Sequence, residues 1–166
     1  ARKDLVAEKS ILLQQSGLQT VLVDVDSFAM SNTFSVNYET PPGTIALVNI
    51  GATATNIHIL REGSSVFTRD ISLGGNQFTE EIQRTLNISY EEAERLKVGE
   101  GTEEGQNTVI PQEIQSILHS VCENVASEIQ KTIDFYLSTS PDGYIDQIFL
   151  SGGGSLTPGM ERGISQ

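Results

Sequence analysis

Two short glycine turns carry the residue types that can meet a ligand with backbone rather than side chain. Asn49-Ile50-Gly51-Ala52-Thr53-Ala54-Thr55 follows the apolar run Ile45-Ala46-Leu47-Val48. Ser151-Gly152-Gly153-Gly154-Ser155 follows Ile145-Asp146-Gln147-Ile148-Phe149-Leu150. Without a Cβ, glycine lets N–H groups come close to an anion that side chains would fend off. The second turn runs into Leu156-Thr157-Pro158-Gly159-Met160, which reads as a helix start with proline at an early position. A strand, a glycine turn and a helix N-terminus in that order favour an anion or a nucleotide. Gly51-Ala52 alone could be a tight turn and nothing more; the pair is the stronger signal.

The elements between the turns must hold them. Ala1–Gln15 reads as a helix, with Leu5 and Leu12 a heptad apart, as are Val6 and Leu13, and Gly17 placed to close it. Thr20–Val25 is β-branched and apolar and predicts a strand, interrupted by Asp24. Asp26 and Ser27 can cap a short helix carrying Phe28, Ala29, Met30 and Phe34. Two prolines and a glycine within Tyr38–Gly43 mark a boundary. Thr44–Asn49, Thr55–Leu60 and Ser65–Ile71 predict a three-stranded antiparallel meander, turning the second time at Arg61-Glu62-Gly63-Ser64. Gly74-Gly75 ends it. Phe78, Ile82 and Leu86 then space a helix, and Ser89-Tyr90-Glu91-Glu92 is a capping box for another that runs through Lys97. Gly99–Thr108 is polar, acidic and glycine-rich and reads as a surface loop. Pro111 starts a helix to about Thr139, striped by Leu118, Cys122, Val125, Ile129 and Tyr136. Pro141-Asp142-Gly143 reads as a turn, and Ile145–Leu150 as the last strand.

A chain of 166 residues carries a formal net charge of −12. That balance argues against a nucleic-acid partner, which needs clustered lysine and arginine, and against docking on anionic lipid. No apolar run is long enough to cross a bilayer, and no signal-peptide pattern opens the chain. Cys122 is the single cysteine, so an internal disulfide is excluded. Cytoplasm is the natural compartment. The chain opens on Ala1 inside an apparent helix, and it is read as a piece of a longer protein.

The order of elements, a meander with a glycine turn, a helical insert, a long helix, then strand, Gly152-Gly153-Gly154 and helix, resembles the actin-like ATPase superfamily. Several phrases are more narrowly similar to PilM, the FtsA-like family of type IV pilus assembly. They are Asp24-Val25-Asp26-Ser27-Phe28-Ala29, Phe67-Thr68-Arg69-Asp70-Ile71, Gly74-Gly75-Asn76-Gln77-Phe78-Thr79 and Ala93-Glu94-Arg95-Leu96-Lys97. The resemblance implies an α/β fold of the actin-like, ribonuclease H-like kind, a mixed sheet with helices, covering mainly the second lobe. Residues 1–43 would be a remnant of the first lobe, 44–71 and 140–166 the core of the second, and 72–139 its helical insert. The first phosphate loop would lie outside this chain. ATP and magnesium are then expected of the parent protein, weakly or not at all of this piece.

The resemblance also implies roles. Gly51, Ala52 and Thr53 would offer backbone donors to the β- and γ-phosphates and Thr55 a hydroxyl. Gly152, Gly153, Gly154 and Ser155 would form the adenosine loop. Gly74 and Gly75 join the nucleotide-binding set, and Glu94 and Lys97 would reach adenine and ribose. Asp26 falls where relatives place an acidic group near the attacking water or the metal's hydration shell. Asn49 stands where the second phosphate loop usually carries Asp, and an amide is a poor magnesium ligand beside carboxylate. The implied function is a nucleotide-binding scaffold of pilus assembly, at most a slow ATPase. ATP would close two lobes and tune contact with the cytoplasmic N-terminal tail of PilN, other pilus proteins, or further copies, at the inner membrane through partners. An FtsA-like filament-forming ATPase and a sugar-kinase-type enzyme are the alternatives within the superfamily. Beside these stand plainer readings: Asp26 as a helix cap, Glu94–Lys97 as a surface pair, His58 as a strand-face residue, His119 beside the stripe of the long helix, Cys122 as core.

Overall fold

A computed structural model describes residues 2–98, 112–140 and 143–165. The chain divides into two compact units, 1–38 and 39–166. The expected loop 99–108 lies outside the described residues, as do Pro111, Pro141 and Asp142.

The first unit holds helices α1 (Lys3–Gln15) and α2 (Asp26–Asn37). Gly17, at φ +80, ends α1 as the sequence predicts. Leu18 N–H donates to Leu13 C=O and Gly17 N–H to Gln14 C=O, which satisfies carbonyls the helix end would otherwise orphan. The expected strand at Thr20–Val25 does not form. A strand needs a neighbour for its ladder, and none pairs with this segment among the described residues; Val21 and Leu22 are 93% and 80% exposed. Asp26 and Ser27 do not cap α2 either. Val25 occupies the N-cap position without a side-chain bond, and Asp26 is the first helical residue, where its charge favours the helix dipole.

The second unit is built on a four-stranded sheet of order β3-β2-β1-β4: β1 (Thr44–Ile50), β2 (Thr55–Arg61), β3 (Ser64–Ile71) and β4 (Gln147–Ser151). The meander is antiparallel as expected, with Val48 opposite Ile57 and Ala46 opposite Ile59. Arg61 pairs with Ser64, so Glu62-Gly63 is a two-residue hairpin turn. Their φ values of 49° and 74° match the type I′ turn, whose twist suits the strands. β4 lies parallel to β1, Val48 opposite Leu150. That pairing puts both glycine turns at the same end of adjacent strands, because each turn follows the C-terminal end of its strand.

Helices α3 (Asn76–Leu86) and α5 (Gln112–Thr139) follow the predicted periodicities, and α4 (Tyr90–Val98) follows the predicted capping box. Ser89 Oγ accepts from Glu92 N–H at 3.2 Å, half of the expected capping box. α5, 28 residues and so about 42 Å long, buries its full predicted stripe. Leu118, Cys122, Val125 and Ile129 join Phe78 and Ile82 of α3 and the sheet face of Val48, Ile50, Ile57 and Ile59 in one core. Burial of this kind, roughly 1.5–3 kcal/mol for each large side chain, holds the helical layer on the sheet.

The expected helix start at Leu156–Met160 differs. A 3-10 turn, Gly153–Leu156, comes first, and α6 (Met160–Ile164) begins only after Gly159, which sits at φ +92. Pro158 therefore precedes the helix rather than opening it. Among the described residues no helix is long and apolar enough to cross a membrane.

Candidate functional site

A cleft of about 690 Å³ opens in the second unit where four segments meet. Gly51 and Ala52 come from the β1–β2 turn, Gly75 and Asn76 from the start of α3, and Glu94, Lys97 and Val98 from α4. Gly153, Gly154, Leu156, Thr157 and Pro158 come from the segment after β4. Residues far apart in sequence meet here because β1 and β4 are neighbours and α3 is tied back to the first turn. That tie is direct: Gly75 N–H donates to Gly51 C=O and Asn76 N–H to Ala52 C=O, both at 2.8 Å.

The glycines have separate reasons. Gly74 packs so closely on the first turn that a Cβ would lie 2.6 Å from the Gly51 carbonyl oxygen. Gly152, at φ +83, would place one 2.4 Å from the Ile50 carbonyl oxygen and 2.5 Å from Asn49 Oδ1. A Cβ on Gly154 would meet the Ile50 side chain at 2.4 Å. Those three are demanded by packing or by backbone conformation. Gly153 is demanded by neither: a Cβ there meets nothing within 4 Å, and its φ is not positive. Its missing side chain leaves open space in the cleft wall. Among the described residues the N–H groups of Ala52, Thr53, Gly153 and Gly154 donate to no carbonyl, so both turns keep donors for an acceptor outside the chain.

The α4 wall is polar and charged. Lys97 Nζ donates to Glu94 Oε2 at 2.7 Å, to Thr79 Oγ1 at 3.0 Å and to the Gly75 carbonyl at 3.4 Å. The Thr79 hydroxyl donates to the same Glu94 oxygen. The Lys97 side chain is only 12% exposed, so the pair is more than a solvated surface contact. Burial opposes ionisation of Glu94, but the bonds from Lys97 and Thr79 and the lysine charge outweigh it and hold the carboxyl below its ordinary value. Leu156, 84% exposed, Pro158 and Val98 add apolar lining to the cleft.

Thus Gly51, Ala52, Gly75, Glu94, Lys97, Gly153 and Gly154 come together in one cleft. Others singled out by sequence lie elsewhere. Thr55 is fully buried and its hydroxyl donates to Leu73 C=O at 2.8 Å, so it braces the turn from behind. Asn49 does not line the cleft; its amide donates to Asn56 Oδ1 at 3.2 Å and accepts from Ser151 Oγ at 3.4 Å, joining three strand ends. The Ser155 hydroxyl donates to Gly152 C=O at 2.7 Å and closes the 3-10 turn. Gly74 and Gly152 do not line the cleft, Thr53 is exposed at its turn, and Asp26 belongs to the first unit. Thr79 was not singled out. Its signal was its place one helical turn after Gly75, facing the helix that carries Glu94 and Lys97.

A family model described as type IV pilus assembly protein PilM matches residues 1–166. The chain belongs to the PilM family. A PilM chain solved in a PilM–PilN type IV pilus biogenesis complex superposes with TM-score 0.78 at 25% identity, covering 99% of this chain and 46% of that one. The cell division protein FtsA of Bacillus subtilis strain 168 is 29% identical over 135 residues, 70% of this chain and 30% of FtsA. MreB5 of Spiroplasma citri, solved with ADP, shares the fold at TM-score 0.68 and 18% identity, over 98% of this chain and 57% of its own. This PilM-family chain therefore has the actin-like α/β fold and spans less than half the length of the PilM and FtsA chains it matches.

Proposed function

We propose that this chain forms one wall of an ATP site in a scaffold of type IV pilus assembly. The observation that carries the proposal is the convergence of both glycine turns, with unused N–H donors, on one cleft whose wall is left open at Gly153. Phosphate oxygens suit those donors. The Glu94–Lys97 pair suits a polar sugar, and the apolar lining of Leu156, Val98 and Pro158 suits a base. The nucleotide-bound MreB5 relative supports the ligand class.

Magnesium fits this wall less well. Glu94 is the one carboxylate among the described lining residues and is already paired with Lys97. Asn49 is neutral and engaged with Asn56. Residues of this chain would therefore bind and orient the nucleotide without anchoring a metal, and in the whole protein nucleotide works chiefly as a conformational ligand. Its occupancy closes the two lobes and sets the contact with a membrane-anchored partner. The relative solved with PilN makes the cytoplasmic tail of a PilN-like protein the partner to test.

Calorimetry of the whole protein with ATP, wild type against Gly153→Val, tests the site. The valine occupies space that the fold does not use, so ATP binding is lost while the melting curve is unchanged. A variant that folds and binds ATP like wild type would sink the proposal. A pull-down with the PilN tail, with and without nucleotide, tests the partner; equal capture in both removes the coupling.

A further inference from the structure

Thr79 stands between the two charged residues of the α4 wall, although neither glycine turn nor the Glu94–Lys97 spacing points to it. It is fully buried in the first turn of α3, out of reach of water. A helical threonine commonly spends its hydroxyl on the carbonyl one turn back. Here that carbonyl, Gly75 C=O, accepts from Lys97 instead, and the Thr79 proton goes to Glu94 Oε2. A hydroxyl has one proton and two lone pairs, and Thr79 uses the proton on the carboxylate and a lone pair on the ammonium. Among the described residues both bonds to the Glu94 carboxylate fall on Oε2, so Oε1 keeps its lone pairs for a hydroxyl donor in the cleft. The same lysine, through Gly75, reaches the segment that holds the first glycine turn.

We propose that Thr79 is a positioning residue of the nucleotide site: its hydroxyl fixes Glu94 and Lys97 in one arrangement, so that Glu94 accepts hydrogen bonds from the hydroxyls of the bound sugar. The assignment rests on the nucleotide reading above. A sugar diol is the chemical class it selects, because an ionised carboxylate can only accept and a vicinal diol supplies two donors. Without the Thr79 hydroxyl, Lys97 loses a partner where its side chain is only 12% exposed, and Glu94, 40% exposed, loses the bond that fixes its carboxylate and is free to turn to solvent.

The test compares ATP with 2′,3′-dideoxyATP on the whole protein, in wild type, Thr79→Val and Thr79→Ser, with folding followed by thermal melting. Wild type binds ATP more tightly than the dideoxy nucleotide. Thr79→Val, which keeps shape and loses the hydroxyl, weakens ATP about tenfold, the worth of one hydrogen bond to a charged group, and leaves the dideoxy nucleotide unchanged. Thr79→Ser keeps the wild-type preference. A merely structural threonine would shift both nucleotides equally, and that result overturns the assignment, as does a serine variant that loses the preference. Should the valine variant not fold, carbon NMR of Glu94 in wild type decides: a carboxyl titrating at or above the ordinary glutamate value overturns it. Wild type binding neither nucleotide removes the site itself; wild type binding both with equal affinity removes only the role of Thr79.

Discussion

Replacing each glycine of the second turn by alanine, one at a time, separates what the fold requires from what the cleft leaves open. At Gly152 the left-handed backbone alone costs about 1–2 kcal/mol for an L residue. The added Cβ would also lie 2.4 Å from the Ile50 carbonyl oxygen and 2.5 Å from Asn49 Oδ1, and relieving such overlap costs about 1–3 kcal/mol more. Gly152→Ala should therefore lose about 2–5 kcal/mol. Gly154→Ala meets the Ile50 side chain at 2.4 Å and its carbonyl oxygen at 3.0 Å without a positive φ, so only the overlap counts, about 1–3 kcal/mol. Gly153→Ala meets nothing and needs no strained backbone. It restricts the unfolded chain and should gain about 0.5 kcal/mol. Urea unfolding read from common baselines gives the three differences, and an unchanged m-value shows that the denatured state is comparable. Gly153→Ala losing more than about 1 kcal/mol, or Gly152→Ala leaving the midpoint in place, would refute the division of the turn into packed and open positions.

Asn49→Asp in the whole protein should raise ATP turnover while changing nucleotide affinity little; wild-type turnover above about 1 per second, or an Asp variant no faster than wild type, contradicts the view that hydrolysis is slow. The same substitution removes the donor to Asn56 and should lower stability by about 1 kcal/mol in denaturant. Glu94 is held below the ordinary glutamate value of 4.5, so its stabilising contribution is complete above that pH and disappears as pH falls through the lower folded value. Glu94→Gln should flatten that acidic limb of the stability profile and leave the neutral region's slope unchanged; an identical limb in wild type and variant would show that the pair does not contribute. Burial pushes the Cys122 thiol up to about 11, from an ordinary 9.0, so at pH 8 its thiolate fraction is on the order of a hundredfold below that of a free cysteine. Alkylation of the native protein should be at least that much slower than in urea, and comparable rates would place the thiol outside the core.

Local pattern determined most of the second unit. The apolar run Ile45–Val48 wrote β1, alternation wrote β2, the 3.6-residue period wrote α3 and α5, Glu62-Gly63 and Ser89 placed the turn and cap, and in the first unit Gly17 placed the stop, because each of these signals acts within a few residues. Both glycine turns were legible as candidates for the same reason, whereas Glu94 and Lys97 were candidates only through the family resemblance. Tertiary structure decided what local pattern cannot carry. Thr20–Val25 has strand composition, yet a strand is a pairing, and its partner is absent among the described residues. Gly152, Gly153 and Gly154 are alike in sequence; only the approach of Ile50 and Asn49 shows that two are packed and one is open. Thr55 offers a hydroxyl to any reader of the sequence, but the fold gives it to Leu73. Thr79 joins the α4 wall solely because α3 and α4 pack together. Propensity and periodicity are properties of neighbouring residues, whereas the spare space and spare hydrogen-bonding capacity that make a site depend on segments about a hundred residues apart meeting at one end of a sheet.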